Sequence, residues 1–293
     1  HGEMPVPTGV ATLNALPSYA IYRSRFYCVG MWTDNLVIDE HFRVHRQGIL
    51  PPTVVPVATA TGGPGRTGSC VIRIAFYDEL TDEWSPLSSP SLPVALANNI
   101  CITSNIPATS TDPRVSHVGV WVSMNGASFR LATKRQLGVT SIAESVATLA
   151  LGIAFFPTFE RFPHGMFNAI YHERQVMAGD MSHLDVLYVS ALFHPERYEG
   201  LSFRTRNGEA IVAIVPTRDI CLVMTATGAY GLRGWTEDDM ELQPIDLDIG
   251  CTGHQGCQVI HGNAWIPSPK TIFLYNGAFH DVLKDRRTEW QEI

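Results

Sequence analysis

Ala20-Ile21-Tyr22, followed by Arg25 and Gly30, is a string that the chain writes twice. It returns as Ala169-Ile170-Tyr171, Arg174 and Gly179, every element displaced by 149 positions (169 − 20). Leu36 and Phe42 continue the match as Leu187 and Phe193, now displaced by 151 (187 − 36), as though one turn had gained two residues. Self-similarity of this kind signals units that cannot bury their own faces and must stack on neighbours. The two copies stand far apart, and the segment between them is patterned differently. The pattern predicts an interrupted repeat: a blade-like unit, an inserted domain, then more blades.

Residues 1–50 supply the first blade. Two strand-like runs, Tyr19 to Val29 and Leu36 to Val44, flank the polar pair Asp34-Asn35. Leu50-Pro51-Pro52 then stops the pattern, because consecutive prolines force extended backbone and remove donors. Residues 51–160 read as a small antiparallel β-sandwich of the immunoglobulin or fibronectin type. Cys70, Ile72, Ile74 and Phe76 alternate on one strand face, with Arg73 and Tyr77 on the other. Ser85-Pro86 and Ser88-Ser89-Pro90 predict a kinked edge segment. Asn125-Gly126 between Val118–Val122 and Phe129–Thr133 is a hairpin signal, since both residues accept positive φ. Residues 161–293 return to blade patterning, with strand pairs at 175–178 with 187–192, at 210–215 with 221–225, and at 257–261 with 264–267. A short helix is expected near Ser141–Leu151, where Ala and Leu are frequent.

Composition narrows the function. Only 17% of residues are charged, and the net charge is −7 without any long basic run, which argues against wrapping a nucleic-acid backbone. An acidic wall beside DNA would instead repel it and let it slide. The longest apolar stretch, Val146 to Phe156, carries Thr148 and Gly152 and is short of the roughly 18 apolar residues of a membrane span. His1-Gly2-Glu3-Met4-Pro5 has neither the basic region nor the apolar core of a signal peptide. Of the six cysteines, Cys28, Cys70, Cys101 and Cys221 sit among apolar neighbours and are read as small, reduced core residues.

The order of these segments resembles virion tail proteins of tailed phages, in which a β-propeller carries an inserted immunoglobulin-like domain. The matching pieces are Gly48-Ile49-Leu50-Pro51-Pro52, the strand Val71–Tyr77 with Trp84-Ser85-Pro86-Leu87-Ser88, Val118–Trp121 before Asn125-Gly126, and Tyr171-His172-Glu173-Arg174-Gln175-Val176. The last is the stretch from Ile249-Gly250-Cys251 to Ile272-Phe273-Leu274-Tyr275-Asn276-Gly277. The resemblance implies a non-enzymatic ring or nozzle subunit of the virion tail, assembled in the host cytoplasm as a homo-oligomer. It would form part of the conduit for DNA ejection, dock other tail or connector proteins, and pass DNA without binding it specifically. Only three or four incomplete blades are legible, fewer than a closed propeller usually needs. Other chains are therefore expected to complete the ring.

Chemistry-bearing clusters are few. Cys251, His254, Cys257 and His261 have sulfur and imidazole donors that could hold a tetrahedral zinc. They lack paired C-x-x-C knuckles, and Cys257, Val259 and His261 share one face of the expected strand, so ordinary core residues are the preferred reading. Glu237, Asp238, Asp239, Glu241, Asp246 and Asp248 could serve glycoside hydrolysis or a hard cation, but they read better as a solvated loop and strand edge. No nucleophile elbow, phosphate loop or dinucleotide fingerprint is present. Gly62-Gly63-Pro64-Gly65-Arg66-Thr67-Gly68 reads as a flexible hairpin or interdomain loop. No catalytic residue and no cofactor is therefore expected. Trp235, Tyr230 and Arg233 are the interface candidates, because such side chains dominate binding hot spots. The competing functions are a receptor- or glycan-binding propeller and, less favoured, a glycosidase.

Overall fold

A computed structural model describes residues 17–30, 32–144 and 160–284. The fold is all-β, and it divides into two compact units: one runs to Gln47 and resumes at Phe162, and the other is Gly48–Arg161. No helix among the described residues is long and apolar enough to cross a membrane.

The first unit contains four four-stranded antiparallel sheets, each a meander like a propeller blade. The first blade is β1 (Ser18–Tyr22), β2 (Arg25–Val29), β3 (Leu36–Ile38) and β4 (Val44–Arg46). After the insertion come β12 (Phe167–Tyr171), β13 (Arg174–Ala178), β14 (Val186–Val189), a short β15 (Arg197–Tyr198) and β16 (Ser202–Arg204). Of these, β12, β13, β14 and β16 make the second blade. The third blade is β17 (Ile211–Pro216), β18 (Cys221–Thr225), β19 (Ala229–Arg233) and β20 (Glu241–Asp246). The fourth is β21 (Gln258–Ile260), β22 (Asn263–Ser268), β23 (Thr271–Tyr275) and β24 (Phe279–Asp281). The shortage of blades expected from the sequence is thus corrected. Three of the fourth strands are only three residues long, and β20 is mostly exposed and interrupted by Pro244, so apolar alternation does not reveal them.

The duplicated string marks the opening hairpins of the first two blades. Tyr22 pairs with Arg25 and Tyr171 with Arg174, so each turn has two central residues. Arg23 and Ser24 have φ of 46° and 63°, and His172 and Glu173 repeat this at 46° and 60°. Positive φ at both positions matches the right-handed twist of the flanking strands. Gly30 and Gly179 leave the second strands at φ 87° and 84°, and Phe42 and Phe193 share φ values of 60° and 63°.

Blades stack face to face. Ala169, Tyr171, Val176 and Leu187 of the second blade pack on Ile214, Cys221, Val223 and Tyr230 of the third. The other face of the third, through Leu222 and Met224, meets Ala264, Ile266 and Tyr275 of the fourth. Tyr22, Tyr27 and Val37 of the first blade meet Ile170 of the second. Period-two alternation supplies an apolar residue to both faces of each interior blade, which is why β13, β14 and β18 are buried throughout.

The inserted unit is built on the long β5 (Val57–Asp78), with β6 (Glu83–Trp84), β7 (Val94–Ser104), β8 (His117–Met124), β9 (Arg130–Gln136), β10 (Ser141–Glu144) and β11 (Glu160–Arg161). Its main sheet has the order β10-β7-β5-β8-β9, with β6 added to β5. Ile142 of β10 and Cys101 of β7 share one core with Val118, Val120 and Val122 of β8, although β10 and β8 are not sheet neighbours. That contact requires a curled sheet, a half-barrel whose own curvature does the work of the two layers expected. The Gly62–Gly68 stretch is part of β5 rather than a loop: the register against β7 slips between Thr61 and Arg66, and the glycines absorb the bulge. Gly63 and Gly68, at φ 125° and 123°, need the freedom of glycine there. Asn125 and Gly126 turn the β8–β9 hairpin at φ 53° and 78°, as expected. Ser141–Glu144, expected to open a helix, is a strand paired with β7, and the remainder of that expected helix lies outside the described residues.

The Ser-Pro segment runs along β5 by a repeated device. Ser85, Ser88 and Ser91 donate their N–H groups to the carbonyls of Phe76, Ile74 and Ile72. Their hydroxyls accept the N–H groups of the same three residues at 2.9, 3.1 and 2.9 Å. Three residues advance against two of β5, so one residue per step bulges outward. The hydroxyl takes the donor that each bulge would orphan.

Candidate interaction surface

One hydrogen-bonded hub joins all four blades. Ser18 Oγ in β1 donates to Asn168 Oδ1 in β12 at 2.9 Å, and Asn168 Nδ2 donates to the Tyr27 carbonyl at 2.9 Å. His254, in the 3-10 turn before β21, brings Nε2 to 3.0 Å from Ser18 Oγ, and the Ile214 N–H of β17 donates to its Nδ1 at 3.4 Å. With the serine proton committed to Asn168, Nε2 must carry the imidazole proton and Nδ1 must accept. Burial lowers the His254 pKa and favours this neutral form. Around the hub the first strands follow one another in the order β1, β12, β17, β21.

The hub explains two departures within the repeat. Displaced by 149, Tyr19 becomes Asn168 and Phe26 becomes Gln175. Asn168 and Gln175 are buried against the first blade, where Gln175 Oε1 accepts from Gln47 Nε2. At the same places in the first blade, Tyr19 is 67% exposed and Phe26 40%, with Ile21 beside them at 58%. Polar residues occupy the covered face and apolar residues the uncovered one, the reverse of what water alone would select.

The far end of the stack is similar. Gln258 lies opposite Trp265, and Trp265 opposite Leu274, so these residues share a face with Ile260. That face points away from the third blade, which packs on Ala264 and Ile266. Ile260 is 49% exposed, and Trp265 and Leu274 are half-buried. Among the described residues, the outward faces of the first and fourth blades therefore both carry exposed or half-buried apolar side chains.

A second feature lies on the rim of the same unit. Trp235 is 56% exposed and stacks on His172 at 3.9 Å, which stacks in turn on Tyr171 at 3.9 Å. Asp239 fixes the loop by accepting the Thr236 hydroxyl and the N–H groups of Thr236 and Trp235, and these bonds hold its carboxyl below the usual range. The left-handed turn residue His172 donates from Nδ1 to the Gly234 carbonyl, 3.1 Å away, which ties the turn to the loop. A cavity of about 580 Å³ opens nearby among the turns of the third and fourth blades, lined by Arg218, Asp219, Arg233, His261 and Asn263. Burial pushes the Tyr171 hydroxyl to about 12, and it donates to the Asp219 carbonyl at the cavity wall.

Of the interface residues named from sequence, Trp235 and Arg233 are exposed, whereas Tyr230 is core. Tyr230 sits on the face of β19 that packs between the second and third blades, and its hydroxyl reaches the Arg206 carbonyl. The zinc set is not assembled: no group of three His, Cys, Asp or Glu side chains among the described residues is placed to hold a metal. Cys251 and Cys257 meet, with sulfurs 3.3 Å apart, but His254 is committed to the hub and His261 to the β21–β22 turn. Cys257 precedes β21 rather than lying on its face. Among the carboxylates, Asp246 and Asp239 cap their own turns, and Glu237 lies 3.7 Å from Arg174. Trp121 is buried against Trp84, and Trp290 lies outside the described residues.

Compared with known proteins, the chain matches no family model and no curated sequence.

Proposed function

We propose that this protein is a non-enzymatic structural subunit that assembles with copies of itself, as a ring or nozzle component of a phage virion tail. The observation that carries the reading is the pair of apolar end faces, Tyr19, Ile21 and Phe26 on the first blade and Ile260, Trp265 and Leu274 on the fourth. Docking the fourth blade of one copy on the first blade of the next repeats the face-to-face contact that joins blades within the chain. Such a contact is heterologous, and it closes into a ring when its rotation permits. Fully covering an apolar side chain is worth about 1.5–3 kcal/mol, and these six are already partly covered. The gain is comparable with the ~4–15 kcal/mol cost of association, so one contact is weak and ring closure stabilises it. The phage assignment rests on the resemblance in layout, and the net charge of −7 suits a lumen that DNA crosses without sticking. Sedimentation velocity and negative-stain imaging test the proposal. The expected result is a closed ring that the double variant Ile21→Asp/Phe26→Asp disperses into folded monomers. A wild-type chain that stays monomeric at micromolar concentration overturns it.

A second reading, a glycan-recognising module, is favoured by one feature: the exposed Trp235 ring held on a rigid stack beside an Arg-lined cavity. Binding on a glycan array that disappears in Trp235→Ala would support it.

A further inference from the structure

We infer that Cys251 and Cys257 are a redox-active pair that closes into a disulfide and locks the loop carrying His254 into the hub. The two sulfurs are 3.3 Å apart without being bonded. Both face the Gly253 carbonyl, at 3.5 and 3.6 Å, and the Gly253 N–H points at the Cys251 sulfur at 3.4 Å. These contacts hold the two side chains pointing at each other across a turn of seven residues. Gln255 and Gly256, next to Cys257, are exposed, so the small shift that bond formation needs meets little packed structure on that side of the loop. Thr225 and Pro267 anchor its first residues by accepting the N–H groups of Cys251 and Thr252. Hydrogen bonds from the Cys257 thiol and from backbone N–H groups favour Cys251 as the thiolate of the pair.

The reaction needs a low-molecular-weight disulfide such as oxidised glutathione. Cys251 first releases its proton to solvent, and its thiolate then takes the proton of Cys257, the half-buried member, as Cys257 attacks one glutathione sulfur. The glutathione disulfide breaks, one glutathione thiolate leaves, and a mixed disulfide remains on Cys257. Cys251 then loses its proton to solvent and attacks Cys257, expelling the second glutathione thiolate. Two protein thiols are oxidised, one disulfide is reduced to two thiols, and the two released protons go to the departing thiolates.

The experiment treats the folded chain with oxidised glutathione, then labels the remaining thiols under denaturing conditions and digests with trypsin. Both cysteines fall in the single peptide 234–270, bounded by cleavage after Arg233 and Lys270. The expected product is that peptide unlabelled and lighter by two hydrogens, with Cys28, Cys70, Cys101 and Cys221 still labelled. Cys251→Ser should trap glutathione on Cys257, and oxidation of the wild type should slow amide exchange across 252–258. Recovery of the peptide with both cysteines labelled after oxidation of the folded chain overturns the proposal. So does a link that forms only once the chain has been unfolded.

Discussion

The opening hairpins of the first and second blades are one local structure in two settings. Their turns agree to within a few degrees, and both glycines leave the strands in the same left-handed geometry. Yet the second hairpin is covered on both faces, while the first presents Tyr19, Ile21 and Phe26 to the outside. What differs is the presence of a preceding blade. Where one exists, the repeat places Asn168 and Gln175 on the covered face and fixes the blade angle with directed hydrogen bonds. Where no described blade precedes, the same positions are aromatic, as an association surface requires. An isolated buried amide is costly unless fully bonded, so hub residues specify geometry more than they add net stability.

Three changes would break or sharpen that contrast. The largest effect is expected for Asn168→Ala, which strands Ser18 Oγ and the Tyr27 carbonyl in a buried site. It should cost about 3 kcal/mol in urea unfolding, against about 0.5 kcal/mol for Tyr19→Ala at the equivalent position of the dissociated subunit. Equal costs at the two positions would remove the distinction between covered and uncovered faces.

A smaller effect is expected from pH. Burial depresses the His254 pKa in the folded state, whereas the unfolded chain titrates near ~6.5. Below that value the unfolded state binds the extra proton, so the stabilisation present above ~6.5 is lost as pH falls through the folded pKa. A second proton on the ring would also set Nδ1–H against the Ile214 N–H. Asp39 and Asp180 have lowered pKa values through their hydrogen bonds, so their contributions persist to lower pH than the unfolded value of ~4. Thermal midpoints measured between pH 7.5 and 5 should therefore decline in the wild type and stay flatter in His254→Gln. An identical slope in the two proteins would remove His254 from the account.

The smallest effect on folding is expected at Trp235, whose ring lies on the surface end of its stack. Trp235→Ala should change stability by about 0.5 kcal/mol, within the range of surface substitutions. A loss several times larger, read by the same urea titration, would make the stack a structural pillar rather than a presented ring.

Much of this was legible in one dimension. The displaced string marked where two equivalent units begin but not their turns, for Tyr19 to Val29 reads as one run whereas the chain turns at Arg23-Ser24. The Asn125-Gly126 signal did locate its hairpin, because that turn is specified by two adjacent side chains. The interruption by a β-unit also followed from pattern. The outer strands did not, since a strand wet on one side and three residues long leaves no periodic trace, as in Val44–Arg46 and Ser202–Arg204. The Gly62–Gly68 run was misread because glycine marks both loops and bulges, and only pairing with β7 distinguishes them. Tyr230 was misplaced for a similar reason: strand alternation says which residues share a face, not which face is covered.

The hub was the least visible feature. Ser18, Asn168, Ile214 and His254 come from four separated places and carry no motif, although the exchange of Tyr19 for Asn168 directly before the repeated Ala-Ile-Tyr was a signal in retrospect. The amino-acid order alone determined the all-β class, the Asn125-Gly126 turn and the interrupted repeat, because those depend on neighbours within a few residues. Only the tertiary structure decided that the described residues form four blades, that their first strands meet at a shared imidazole, that two cysteines come into contact, and that both ends of the described stack present apolar side chains. These depend on which faces meet, and that is a property of packed sheets rather than of any one strand.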